Sequence, residues 1–98
     1  MKPSVREIPG VQNPVMKHAR ATGWLAWKMK IEGRNGCPDM LFMKNGRVIF
    51  CEFKSPNGRL SVQQQLRIAE LKAHGIEVYV VSDPAIGMAI LDGQEDLL

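Results

Sequence analysis

Residues 39–54, DMLFMKNGRVIFCEFK, decide the fold of this chain. Two apolar runs lie on either side of Asn45-Gly46, the dipeptide most typical of a two-residue hairpin turn. The second run, 48–54, is rich in the aromatic and β-branched residues that favour strands. The segment therefore predicts two antiparallel strands, 39–43 and 48–54, joined by a tight turn.

Charged side chains meet at the end of this hairpin that lies away from the turn. Counting outward from the turn pairs Lys44 with Arg47 and, at the far end, Asp39 with Glu52. Alternate residues of a strand share a face, so Lys54 lies on the face of Glu52. If Glu52 and Lys54 are considered without Asp39, an ion pair on a solvated face is enough to explain them. It would not explain two opposed carboxylates, because like charges opposite each other destabilise a sheet.

A divalent cation would turn this repulsion into binding. Mg²⁺ prefers oxygen ligands and takes only one or two protein carboxylates, keeping water in its other positions. An ammonium group beside such an ion can stabilise charge that develops on a phosphate. The combination of Asp39, Glu52 and Lys54 therefore suits hydrolysis of a phosphodiester bond.

The rest of the chain predicts helices and two further strands, in the order α-β-β-β-α-β with a short final helix. The helix before the last strand makes a crossover connection, which favours a parallel strand pair and thus a mixed sheet. Outside the hairpin, the predicted segments are an irregular lead-in (1–10), a helix (13–21), a strand (24–31), a helix (61–74), a strand (76–81), a short helix or turn (83–91) and a tail (92–98).

Local signals set the expected helix ends and the expected buried face. Asn13 is a favourable N-cap and Pro14 a favourable first residue, so the first helix is expected to begin there. Ser61 and Gln64 fit a capping box at the start of the second helix. The apolar residues expected to form the buried face of that helix are Val62, Leu66, Ala69 and Ala73, with Ile68 beside them.

Composition limits the class of protein. A chain of 98 residues forms one domain, residues 1–98, and its net charge of +3 permits a polyanionic partner without requiring one. Cys37 and Cys51 match no disulfide framework, which favours a reducing cytoplasm. No apolar run reaches the roughly 18 residues of a membrane span, so no membrane association is expected.

The motifs are similar to those of a known nuclease family. G-C-P-D (36–39) followed by E-F-K (52–54) resembles the PD-(D/E)xK nuclease superfamily. With G-R-L-S-V-Q-Q (58–64) and L-K-A-H-G (71–75), the chain resembles the VRR-NUC family over about residues 11–82. The resemblance implies an α/β fold with a restriction-endonuclease-like core, in which helices flank a mixed four-stranded sheet.

The resemblance also implies roles for individual residues. Asp39, Glu52 and the backbone carbonyl of Phe53 would bind Mg²⁺, for which Mn²⁺ can substitute, and Lys54 would be the catalytic lysine. Gln64 matches a glutamine that lies near the active site in the family and is a candidate for nucleic-acid contact. Its place in a capping box would explain it equally well.

The first helix departs from the family pattern. Related nucleases commonly complete the metal site with a glutamate from that helix, and this chain has Gln12 at the aligned position. A glutamine supplies a neutral oxygen and would bind a metal more weakly. Glu7 is the nearest carboxylate, so either Gln12 or Glu7 is expected to complete the site.

Basic residues flank the motifs on both sides and are expected to hold DNA phosphates. They are Lys28, Lys30, Arg34 and Arg59. No helix-turn-helix or zinc motif for reading bases is present in the sequence, which favours recognition of DNA by shape.

Small free-standing members of the family come from phage and bacteria and resemble junction-resolving enzymes. Because a four-way junction has two-fold symmetry and needs paired cuts, a homodimer is expected. The sequence thus predicts a metal-dependent, structure-selective DNA endonuclease, specifically a Holliday-junction resolvase acting in the bacterial cytoplasm. Two alternatives stay open: a flap, nicking or restriction-type nuclease on the same fold, and a DNA-binding module without catalysis.

Overall fold

The computed structural model describes the backbone of residues 3–94 and the side chains of residues 10–94. The helices and strands follow the predicted order, with three strands before the second helix and one after it. Their bounds are α1 Pro3–Ala21, β1 Leu25–Lys28, β2 Met40–Lys44, β3 Arg47–Phe53, α2 Val62–Ala73, β4 Glu77–Val81 and α3 Pro84–Leu91. Residues 95–98 of the expected tail lie outside the described residues.

The four strands form one mixed sheet in the order β1-β2-β3-β4. The β2–β3 hairpin has the predicted register, with Lys44 paired to Arg47. Its turn residues Asn45 and Gly46 have φ angles of 50° and 85°, which match the primed turns that suit the twist of a hairpin. β1 adds to β2 in antiparallel fashion. β4 adds parallel to β3 after the α2 crossover, which confirms the parallel pair predicted from the crossover connection.

Helix α1 begins at Pro3, so the expected irregular lead-in is wrong for residues 3–10 and the expected start at Asn13 is wrong as well. Pro14 lies inside the helix, although it cannot donate the usual backbone hydrogen bond there. The apolar stripe of α1 explains why the helix continues through Pro14. Val11, which precedes Pro14, is buried with Val15 and Ala19 against the sheet and α3.

The hydrophobic core lies between one face of the sheet and helices α1 and α3. Phe42 and Phe53 meet edge to face at its centre, with ring centroids 6.4 Å apart. Gly87 lets α3 approach α1 closely, since a Cβ at this position would lie 2.7 Å from Cγ2 of Val15. The strand residues of this core include Met40, Phe42, Ile49, Cys51, Phe53 and Val81.

Helix α2 packs on the other face of the sheet, and the face it buries is not the predicted one. Val62 and Leu66 are 71% and 51% exposed, whereas Ile68 is buried and Leu71 is half-buried. Gln64 is half-buried on the same inner side, four residues before Ile68. The apolar pattern predicted the wrong face because the inner face includes the Gln64 side chain, whose amide nitrogen donates to Glu52 on the sheet.

Part of the sheet face next to α2 stays uncovered. Leu25, Trp27 and Val48 have about half of their surface exposed. Leu25 pairs with Met43, which pairs with Val48, so this apolar surface crosses three strands. No helix within the described part of the chain has the length and apolarity required to cross a membrane.

Candidate active site

The hairpin brings Asp39 and Glu52 to one end of the sheet. Met40 pairs with Cys51, and Asp39 and Glu52 are the next residues outward on their two strands. The Asp39 carbonyl accepts a hydrogen bond of 2.7 Å from the backbone N–H of Met29, which ties this end of β2 to the chain after β1. The opposition predicted from the turn is therefore present in the structure.

Lys54 lies beside Glu52 on the same side of the sheet. Its Nζ is 4.0 Å from Oε2 of Glu52, and the two side chains are only 20% and 13% exposed. The backbone N–H of Lys54 donates to the Val81 carbonyl at 2.9 Å, which holds the residue in line with β4. Phe53, between them, turns its side chain into the core, so the alternation of the strand sorts the charged groups to one side.

Negative charge is concentrated at this end of the sheet. Burial raises the pKa of Glu52 to about 7; the Lys54 ammonium opposes the rise and the Asp39 carboxylate adds to it. Burial likewise raises the pKa of the Cys51 thiol to about 12, and the carboxylates of Glu52 and Asp39 contribute in turn. Glu52 is thus a carboxyl group that loses its proton reluctantly unless a positive charge joins the site.

Gln64 connects the start of α2 to Glu52. Its Nε2 donates to Oε2 of Glu52 at 3.1 Å, and its Oε1 accepts from the Ser61 N–H at 2.8 Å. The Ser61 hydroxyl accepts from the Gln64 N–H at 3.1 Å, which completes the predicted capping box. Gln64 thus caps the helix and also lies at the candidate site, where its amide nitrogen holds the Glu52 carboxylate; its contact with nucleic acid stays a prediction.

Gly36 allows the loop before Asp39 to lie against the start of α2. A Cβ on Gly36 would come within 2.6 Å of the Gln63 carbonyl carbon and 2.8 Å of the Gln64 nitrogen. Its φ angle of 87° also favours glycine. The sequence placed Gly36 in the G-C-P-D block, but nothing local in it indicated contact with a helix some thirty residues away.

A cleft of about 560 Å³ lies beside Asp39 and contains three of the predicted DNA-contact residues. Lys28, Lys30 and Arg34 line this cleft together with Asp39. Arg59 is exposed in the loop before α2, outside the lining of the cleft. The fold therefore gathers basic side chains on the β1 side of the site and leaves Arg59 apart from them.

Gln12 is half-buried on α1, which packs against the opposite face of the sheet from Glu52. Within the described side chains, no hydrogen bond joins Gln12 to Asp39, Glu52 or Lys54. The side chain of Glu7 lies outside the described residues. The described side chains therefore show no contact between α1 and the site through Gln12, and completion of the site by Gln12 or Glu7 stays a prediction.

The donor set at the end of the sheet suits a hard cation. Among the described residues, no three His, Cys, Asp or Glu side chains cluster in a way that could hold a metal. Asp39 and Glu52 form a two-carboxylate set, which matches Mg²⁺ with water in its remaining positions. Burial, with a smaller contribution from Asp39, raises the pKa of Glu52, and a divalent ion would favour its ionised form.

Comparison with known proteins decides the family. The model of the VRR-NUC domain family matches residues 7–82, a range that includes every residue of the candidate site. The chain belongs to the VRR-NUC family. A phage protein named "Putative nuclease p44", from Acyrthosiphon pisum secondary endosymbiont phage 1, is 33% identical over 72 residues, covering 72% of this chain and 77% of its own length.

The fold of this VRR-NUC chain also matches a solved structure. A protein described as a VRR_NUC domain superimposes with a TM-score of 0.79 and 26% identity, over 88% of this chain and 95% of that one. The predicted α/β fold, with a mixed four-stranded sheet flanked by helices, is confirmed.

Replacing Glu52 with Gln should stabilise the metal-free protein at high pH. The folded-state pKa of about 7 exceeds the ordinary value of 4.5, so the parent protein loses stability as the pH rises between these values. Glu52→Gln removes this loss and keeps an acceptor for Gln64. Unfolding in urea with EDTA should show little difference at pH 5 and a gain of about 1–3 kcal/mol for Glu52→Gln at pH 8.

Glu77→Gln is the matched control for this measurement. The hydrogen bond with Arg47 lowers the pKa of Glu77. The Glu77 carboxylate therefore contributes its full stabilisation of the folded protein above pH 5 and loses it only in more acidic solution. The difference between Glu77→Gln and the parent protein should therefore be nearly constant from pH 5.5 to 8. A gain for Glu52→Gln that does not grow with pH would contradict the environment assigned to Glu52.

Gly36→Ala should disrupt the site, whereas Gly33→Ala in the same loop should not. Both glycines have positive φ, but a Cβ at Gly33 would meet no atom within 4 Å. Gly33→Ala should cost about 1 kcal/mol of backbone strain. Gly36→Ala should cost about 2–4 kcal/mol, because the helix start must also move. Urea unfolding and nuclease assays on both variants test this. Equal losses of stability in Gly36→Ala and Gly33→Ala would contradict the close contact between Gly36 and the start of α2.

Proposed function

We propose that this protein is a divalent-metal-dependent DNA endonuclease that selects branched DNA. The observation that carries the proposal is the convergence of Asp39, Glu52 and Lys54 at one end of the sheet. Burial there raises the pKa of Glu52 to about 7. Asp39, Glu52 and the Phe53 carbonyl would hold Mg²⁺ or Mn²⁺. When bound, the ion supplies Lewis-acid activation of a phosphate and a bound water.

Other side chains of the protein would stabilise developing charge, position the Glu52 carboxylate and bind the flanking phosphates during phosphodiester hydrolysis. Lys54 carries a positive charge beside Glu52, where it can stabilise charge that develops on a phosphate oxygen. Gln64 holds the Glu52 carboxylate in place by its Nε2 hydrogen bond. Lys28, Lys30 and Arg34 in the cleft beside Asp39 can hold the phosphates that flank the scissile bond.

The cations and the cleft beside Asp39 support selection of DNA by structure, because contacts to phosphates position a protein on DNA without reading its sequence. The phage source of the p44 relative supports action inside a bacterial cell. The specific substrate we propose is the four-way junction.

A homodimer would provide the two cuts that a four-way junction requires. The uncovered apolar surface of Leu25, Trp27 and Val48 supports a second copy of the chain as its partner, because soluble monomers rarely expose contiguous apolar surface. The surface lies on the same side of the sheet as Glu52, beside the cleft that contains Lys28 and Lys30.

Single substitutions at the site should abolish cleavage and leave the fold intact. Asp39→Asn, Glu52→Gln and Lys54→Ala should each lower the rate by about 100-fold or more in Mg²⁺ or Mn²⁺, since each removes a group that acts on the phosphate. Rates are measured on a panel of four-way junction, flap, bubble, nicked and linear duplex DNA. Lys17→Ala, an exposed cation on α1, is the control and should cut at the parent rate.

The outcome of the panel separates the candidate functions. Paired symmetric cuts confined to the four-way junction support the resolvase, and preferred cutting of flaps or nicks supports the other nuclease on this fold. DNA binding without metal-dependent cutting, unchanged by Lys54→Ala, would refute the endonuclease and leave a DNA-binding module.

Val48→Lys should separate the homodimer into monomers. The substitution places a charge within the uncovered apolar surface, and sedimentation equilibrium reports the molecular mass. Val62→Lys introduces the same charge on the outer side of α2 and should leave the dimer unchanged. A parent protein that sediments as a monomer at micromolar concentration would refute the dimer.

A further inference from the structure

A second groove, the α2 groove, continues from the cleft beside Asp39. It has a volume of about 440 Å³ and lies between the loop before β2 and the second half of α2. Ile31, Arg34 and Cys37 line both spaces, so the two are continuous. The volume falls within the range of small-molecule sites and is ample for one nucleotide.

The α2 groove has apolar walls. Ile31 from the loop and Leu71 from α2 line it, and most of its lining surface is apolar. A nucleobase has two apolar faces and a polar edge, so it stacks on side chains of this kind whatever its identity. A duplex backbone, by contrast, presents only sugars and phosphates and would leave such walls unused.

Hydrogen-bonding groups lie along the α2 side of the groove. Arg67 donates from Nη1 to Oε1 of Glu70 at 2.8 Å. His74 is bonded through Nδ1 to the Glu70 carbonyl at 2.9 Å. Because a carbonyl only accepts, Nδ1 carries the proton and Nε2 is left for a ligand. Nε2 of His74 can therefore accept a hydrogen bond from the polar edge of a base.

The charge of the groove suits a nucleotide as well. Arg34 lies at the point shared with the Asp39 cleft and is exposed, where it can meet a phosphate. Within the groove, the positive charge of Arg67 is offset by Glu70. The arrangement therefore places one cation at the entrance and a nearly neutral, apolar interior behind it.

We propose that the α2 groove holds one unpaired nucleotide of the strand bound at the Asp39 cleft. Its base would lie between Ile31 and Leu71, and its phosphate would lie beside Arg34. The proposal rests on the proposed nuclease function, because it assigns the groove to the same strand. Preference for branched DNA would then follow, since a base leaves the stack most easily at a branch or a single-stranded end.

Binding of DNA that carries an abasic nucleotide tests this proposal. Fluorescence anisotropy in EDTA measures Kd without cleavage for a duplex with a single-stranded extension. Each unpaired position next to the branch is made abasic in turn. One position should show binding weakened by about fivefold or more, which is the lower end of what one stacked base contributes.

The same scan on variants assigns the effect to the groove. Ile31→Ala and His74→Ala alter exposed side chains, so both should fold, and both should reduce the abasic penalty to nearly onefold. Val62→Ala, on the outer side of α2, is the control and should keep the full penalty. Thermal unfolding of each variant shows that the fold is retained.

Each result supports or overturns the proposal. A flat abasic scan in the parent protein, or a penalty that persists in Ile31→Ala and His74→Ala, would overturn it. Failure of the nuclease proposal is a separate result, because it appears in the cleavage panel and not in a binding assay without metal.

Discussion

The opposition of Asp39 and Glu52 across a two-residue hairpin is the constraint on which the site depends. The turn at Asn45-Gly46 sets the register, and the register leaves no freedom to separate the two carboxylates. Replacing Glu52 by a neutral residue would remove the cost of ionising a buried carboxyl group. Burial and the neighbouring carboxylate both raise the pKa of Glu52, so the apo site is held at a cost in free energy that a cation would offset.

The groups around this pair are arranged to hold it still. Gln64 joins Glu52 to the first turn of α2, and Gly36 lets the loop before Asp39 touch the same turn. Two blocks that are far apart in the sequence, G-C-P-D and G-R-L-S-V-Q-Q, thus meet at the start of one helix. Such packing of supporting residues restricts the carboxylates to one geometry, which a metal site requires.

The two faces of the sheet have different tasks. One is covered by α1 and α3 and forms the hydrophobic core. The other carries Glu52, Lys54 and α2, and it keeps both a cleft and an uncovered apolar surface. The strict alternation along β3, with Cys51 and Phe53 inward and Glu52 outward, lets one strand serve both tasks.

The sequence by itself determined the order of helices and strands along the chain, the hairpin register and the placement of the three charged groups, because turn chemistry and strand alternation act over a few residues. The capping box at Ser61 was also visible for this reason. Only the tertiary structure decided that α1 runs through Pro14 and that α2 turns Gln64 inward next to Ile68 and leaves Val62 and Leu66 exposed. In both cases, distant partners outweigh the local preference: the core holds Val11 in helical form, and Glu52 satisfies the amide of Gln64.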